Sequence, residues 1–185
     1  IAVLTICTPG VAWAGMPEDV KSINDSWAHI TYEVRGSSTQ TKALDKLSVQ
    51  AAQVVKRYPG KAEPLLWQGI VRSEQANRAN FLHKLGLATQ ARDILAKAYG
   101  LDHHAANGGT AMSLAVLYYK VPGSPIGFGD KARGGRLLRE ALAVDPDGLD
   151  SNYFMGDYML DTGNKAAARG YLLRALKAPK DRKRT

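Results

Sequence analysis

Four histidines, one cysteine and seventeen carboxylates are the side chains of this sequence best suited to hold a metal or move a proton. Their spacing does not gather them into a site. His29 and His83 stand alone, and the neighbours His103 and His104 would project to different sides of any helix, so no pair at i, i+4 can chelate an ion from one face. At a helix C-terminus these two imidazoles complement the dipole instead. Cys7 is the sole cysteine, which leaves no thiolate pair and no disulfide. Serines and threonines lack a Gly-x-Ser-x-Gly setting, and no carboxylates pair for acid–base work. Gly127-x-Gly129 follows no strand, lacks a third glycine at the required offset and is not followed by Gly-Lys-Ser/Thr, so it is no phosphate cradle. The expectation is a protein without catalytic residues, metal or cofactor, one that works by binding.

One loop stands out. Val121–Asp130 carries two prolines and three glycines, so it cannot be helical, and Asp130 is a suitable N-cap for a helix starting at Lys131. Loops of this length in a compact domain pack on something or bind something. Ile126 and Phe128 are its candidate contacts, either as a lid over the neighbouring groove or toward a partner.

The elements that position these residues repeat. From Asn152 to Ala178, Met155-Gly156 opens a helix, Asp161-Thr162-Gly163-Asn164 makes a turn, and Ala168-x3-Leu172-x2-Ala175 follows on a second helix. Gly156 and Ala168 are small where two helices must approach, while Met155, Met159, Leu172 and Leu176 fill the seam at helical spacing. The twelve residues from Gly156 to Ala168 equal the separation of the corresponding small positions in a tetratricopeptide unit, which this hairpin resembles. Upstream, Leu114-Ala115-x2-Tyr118 pairs with Gly134-x3-Leu138-x2-Ala141, and Trp67-x-Gly69 pairs with Ala91-x3-Leu95-x2-Ala98. A degenerate fourth unit has an amphipathic segment around Trp27 to Val34, a Gly36-Ser37-Ser38 break, and a helix from Lys42 to Arg57. The resemblance covers Thr41 to Ala178. Two units depart from it, with inner turns longer by roughly ten and seven residues. The first surplus, between Ser73 and Gln90, lengthens both of its helices; the second is the loop already described. The Pro-Gly-Ser-Pro-Ile-Gly-Phe-Gly-Asp pattern also resembles a group of bacterial exported repeat proteins.

The resemblance implies an all-α fold, a right-handed superhelix of about four hairpins forming a single domain over residues 15–178. It also implies that the first helices of successive hairpins line a concave groove. The matching positions are Asp150, Tyr153, Asp157 and Asp161 in the last unit, Met112, Val116, Tyr119 and Lys120 before it, and Leu66, Ile70, Ser73 and Glu74 before that. Such a surface, apolar at one end and acidic at the other, suits an extended or helical peptide with a basic segment. Leu66, Ile70, Met112 and Val116 equally suit a covered core. The implied role is a non-catalytic protein-interaction or assembly module with a protein or peptide partner. The alternative is a small-molecule carrier resembling the tetratricopeptide component associated with TRAP-type transporters.

Residues 1–14 carry no charge and end in Ala12-Trp13-Ala14 before Gly15, the small-x-small pattern of a signal-peptidase site. They are too short to span a bilayer. The expectation is a cleaved signal peptide and a periplasmic protein, with no membrane span. Ile6 before Cys7 is too bulky for a lipoprotein site. Of the formal +8 charge, Lys177–Thr185 contributes five bases against Asp181, a local +4, and residues 179–185 read as a basic tail. The rest is close to balanced, which argues against nucleic acid as a partner.

Overall fold

The computed structural model describes residues 15–179. The expected signal peptide with Cys7, and the basic tail beyond Pro179, lie outside the described residues. Among the described residues eight helices follow in chain order: α1 (Met16–Tyr32), α2 (Ser37–Arg57), α3 (Ala62–Arg78), α4 (Phe81–Leu101), α5 (Ala105–Lys120), α6 (Lys131–Val144), α7 (Leu149–Asp161) and α8 (Lys165–Lys177). Short polar side chains cap the starts of α4, α6 and α8, where Asn80, Asp130 and Asn164 each accept from the backbone N–H three residues on, at 3.2, 2.8 and 3.1 Å. Their buried faces follow helical period, as in α2, where Leu44, Leu47, Ser48, Ala51 and Val54 point inward. The surplus between Ser73 and Gln90 lengthens both α3 and α4, as the sequence predicts. The first helix begins earlier than predicted, at Met16, because Pro17 and the acids Glu18 and Asp19 form a favourable first turn. Asp19 also ties α1 to the end of α2, accepting from Arg57 and, at 2.8 Å, from the Tyr58 hydroxyl.

The helices pair as four antiparallel hairpins. Each odd helix also touches the next odd helix, α1 to α3 to α5 to α7, whereas no two even helices meet among the described residues. Packing that is tight between alternate helices on one side and open on the other must curve, so the odd helices form the inner, concave layer and the even ones the outer. A core of Leu65, Leu66, Leu95, Leu114, Leu138 and Met155, with their neighbours, runs through hairpins two to four, and a second cluster joins α1, α2 and α3 around Leu44, Leu47 and Val71. Trp27 meets Trp67 edge-on at 5.9 Å, packing α1 onto α3. Leu176, placed in the seam by its spacing, is instead exposed on the outer side of α8, where no further hairpin follows among the described residues.

The entry to α5 is unusual. Ala106, Asn107 and Gly108 take left-handed φ values of 51°, 55° and 81° before the right-handed helix begins. Asp102 stabilises this turn, its carboxylate accepting from the N–H groups of His104 and Ala105 at 2.8 and 3.1 Å, while the buried Thr110 hydroxyl donates to the Asp102 carbonyl at 2.9 Å. His103 and His104 therefore sit in the turn after α4 rather than on its last turn. A left-handed alanine costs about 1–2 kcal/mol, more than the extra unfolded-chain freedom of glycine. Ala106→Gly is expected to stabilise the fold by about 0.5 kcal/mol, and an unchanged or lowered urea midpoint refutes the strain at this residue.

Candidate functional site

Curvature puts the odd helices on the inside, so the candidate surface is the strip they present. Ile70 on α3 and Met112 and Val116 on α5 lie packed against the core with part of each side chain still open. Tyr153 on α7 extends the strip and is 48% exposed. Leu66 and Tyr119, predicted for the same surface, are buried, each only 2% exposed. They support the strip from beneath and offer a partner almost nothing to touch. Asp150 lies at the start of α7, in its first turn.

The acidic end of the strip is not the free anionic surface that the sequence implies. The Tyr119 hydroxyl donates to Asp157 at 2.7 Å, and Lys120 Nζ lies 2.9 Å from the same carboxylate. Lys131 Nζ sits 2.7 Å from Asp161 and Lys120 lies 3.9 Å from it. Two lysines thus neutralise two of the three aspartates, and one of them, Lys131, comes from the start of α6, a position the repeat pattern does not mark. Burial above all, and then the hydrogen bond to Asp157, pushes the Tyr119 phenol well above its ordinary value. What remains is a hydrogen-bonded, nearly charge-balanced end next to an apolar strip. Such an end can orient a peptide's polar groups but has no marked preference for a basic segment.

The loop after α5 goes elsewhere. Its backbone folds on itself, Gly129 N donating to the Pro122 carbonyl at 2.9 Å and Asp130 N to the Tyr118 carbonyl at 2.8 Å. A side chain on Gly129 would collide with the Val121 carbonyl oxygen, so the close backbone approach requires glycine here. Phe128 packs edge-on against Tyr118 at 6.0 Å, with the Arg92 guanidinium 4.6 Å from its ring. Arg92 belongs to α4, so the loop leans on the outer layer and does not cover the groove. Of its two candidate contacts, Phe128 is a packed plug, whereas Ile126 stays 66% exposed.

Two open cavities flank the hairpin ends. One, of about 320 Å³, is lined by Met16, Lys61, Glu63, Leu101 and Asp102 among others. The other, of about 210 Å³, lies between α2, the end of α3 and the start of α4. Among the described residues no three His, Cys, Asp or Glu side chains gather as metal ligands, and no helix is long and apolar enough to cross a membrane.

No family model matches the sequence, and no curated protein does. Among solved structures, the chain is similar to TTC0263, a thermophilic TPR protein of Thermus thermophilus. The identity is 14%, the TM-score 0.63, and the alignment covers 90% of this chain and 86% of that one. A double mutant of MamA RS-1 aligns at 11% identity with a TM-score of 0.40, over 89% of this chain and 96% of the other. At these identities a likeness speaks for fold alone, and the first of the two carries it. The stack of four hairpins, with its small–large–small seams and inner layer of odd helices, has the tetratricopeptide-like fold that the sequence resembles.

Proposed function

We propose that the protein is a non-catalytic interaction module of the bacterial cell envelope that holds a peptide segment along the inner faces of α3, α5 and α7. One observation carries this reading: Ile70, Met112 and Val116 keep part of their apolar surface open on consecutive inner helices, and the strip runs into the half-exposed Tyr153. Amphipathic aromatic anchors beside an apolar groove are the usual energetic centre of a peptide interface. The Tyr119–Asp157–Lys120 network lies under that anchor and holds α5 and α7 at fixed separation, so the groove is preorganised rather than assembled on binding.

The test uses the full chain immobilised against a displayed peptide library, with enriched peptides remeasured in solution. Tyr153→Ala is expected to weaken them at least tenfold, with unchanged helical circular dichroism and melting. Peptides that bind wild type and Tyr153→Ala equally would refute the groove assignment. The envelope location is tested separately, by fractionating cells that express the full chain. The carrier reading predicts persistent small-ligand adducts in native mass spectra of the purified protein, whereas the module predicts none.

A further inference from the structure

The last hairpin exposes a face that the earlier hairpins keep covered. In the register of the seam residues, Leu160 on α7 stands where α5 has Tyr119, and Leu176 on α8 stands where α6 has Leu142 and α4 has Tyr99. Tyr119 is 2% exposed beneath Asp157 and Tyr158 of α7. Leu142 packs against the core, and the Tyr99 hydroxyl reaches Glu140 of the next hairpin at 2.9 Å. Leu160 and Leu176, by contrast, are 49% and 79% exposed, and Leu173, one turn from Leu176, is 46% exposed. Single apolar residues on a surface are ordinary, but three leucines at positions where a repeat receives its neighbour are not.

The seam between the third and fourth hairpins shows what such a position receives. There an acidic helix lies on a basic one: α7 has three aspartates and no base, whereas α6 has four bases against Glu140. Lys131 Nζ sits 2.7 Å from the Asp161 carboxylate and donates to the Asp161 carbonyl at 3.2 Å, at the end of α7. One turn along α6, Gly135 makes room for Tyr158, whose hydroxyl would lie 2.4 Å from a Cβ there. The same two positions of α8 are Lys165 and Arg169, both exposed and without a carboxylate partner among the described residues. Over its whole length α8 has four bases and no acid.

We propose that this face seats an acidic amphipathic helix of a partner protein, lying on α8 and the end of α7 as α7 lies on α6 and the end of α5. Its apolar residues cover Leu160, Leu173 and Leu176, and its last turn presents carboxylates to Lys165 and Arg169. Arg169 occupies the place that Gly135 leaves open for a tyrosine, so the occupant carries an acid where α7 has Tyr158. The carbonyl end of a helix also gains from the two cations. Other occupants lack this fit. A second copy stacked in the same direction would bring α1, whose exposed side chains from Glu18 to His29 are all polar, as in a capping repeat. A second copy turned end to end would set α8 on α8, base against base. Residues 180–185 hold four bases against Asp181 and share the sign of α8. Docking here is independent of what the groove holds.

The probe is a fluorescent peptide of the α7 sequence, residues 149–161, with Tyr158→Glu and a lactam bridge that holds it helical. A control peptide carries Asp157→Lys, Tyr158→Lys and Asp161→Lys. Fluorescence anisotropy with the full chain is expected to show that the acidic peptide binds at least tenfold more tightly than the lysine peptide, and less tightly as salt rises. Leu160→Ser/Leu176→Ser is expected to weaken the acidic peptide at least tenfold. Arg169→Glu, an exposed change that leaves the fold intact, should do the same and favour the lysine peptide. Tyr153→Ala should leave this binding unchanged, which separates the seat from the groove. The proposal is overturned if the acidic peptide does not bind, if the lysine peptide binds equally, or if the variants at 160, 176 and 169 bind as wild type. Loss of binding in Tyr153→Ala also overturns it, since the peptide then lies in the groove. A wild-type dimer in sedimentation velocity that Leu176→Ser disperses and the acidic peptide does not would overturn it too, giving the face to a second copy.

Discussion

Leu95→Ala is expected to lower the unfolding free energy by about 3 kcal/mol, and Gly69→Ala, harmful in the wild-type chain, is expected to restore part of that loss when combined with it. Leu95 is fully buried in the seam between α3 and α4, and its truncation leaves a void that the neighbouring helices cannot close. Gly69 faces it directly, since a Cβ there would sit 2.5 Å from Leu95 Cγ and 2.6 Å from one of its methyls. In the wild-type chain the added methyl must displace a leucine that has nowhere to go, a cost of about 1–3 kcal/mol that exceeds the propensity gain of alanine over glycine. With Leu95 truncated the same methyl enters the void and keeps the propensity gain. Urea denaturation of the four proteins gives the coupling energy, expected at about 2 kcal/mol; additive effects within about 0.5 kcal/mol would show that the two residues do not share this space. Gly156 makes a similar approach to Leu172, 2.8 Å from its Cγ, but Leu172 is only partly buried and can turn outward. Gly156→Ala should therefore cost less than Gly69→Ala.

This seam also shows why so much of the fold was legible. Ala91, Leu95 and Ala98, Gly134, Leu138 and Ala141, and Ala168 and Ala175 are all buried where the repeat places them, because a small residue facing a large one at fixed helical spacing is a local pattern. Asp130 as a cap and the Pro–Gly loop behind it are local in the same sense. What was not legible depends on distances between elements or on which neighbour is present. The pairing of Asp161 with Lys131 joins the end of α7 to the start of α6, and no spacing rule links those positions, so the carboxylates read as a free acidic surface. Leu176 carries the seam's periodicity but meets no following hairpin among the described residues. Phe81 and Leu82 directly follow a good cap, yet a helix start looks the same in sequence whether it is buried or projecting. The left-handed turn at Ala106 had no signal beyond Asn107 and Gly108, which tolerate that conformation. Pro17, Glu18 and Asp19 do encode the early start of α1, but they directly follow an apolar stretch whose small-x-small ending reads as a cleavage site, and the two patterns overlap at that boundary.

The other large effect is expected at Asp157. Asp157→Ala should destabilise the fold by about 2 kcal/mol, because the buried Tyr119 hydroxyl loses its acceptor and is left as an unsatisfied donor. Lys120 loses an ion-pair partner too, but it is half exposed and water replaces the contact. Tyr119→Phe should cost only about 1 kcal/mol, since donor and bond go together, and the double variant should be less destabilised than the two losses summed. Alkaline pH gives an independent check. The folded chain holds the Tyr119 proton more tightly than the unfolded chain, whose phenol titrates near the ordinary value of 10.0. Stability from this group is therefore complete below that pH and falls as pH rises above it, with a limiting slope of about 1.4 kcal/mol per pH unit, and Tyr119→Phe should flatten that limb. An alkaline limb unchanged by Tyr119→Phe would mean that the phenol is not held as the geometry requires. The same pair of aspartate and tyrosine decides how the groove can be probed: a peptide lost from Asp157→Ala reports a loosened α5–α7 contact as readily as a missing carboxylate. Only Tyr153, exposed on α7 and outside that network, can separate binding from support.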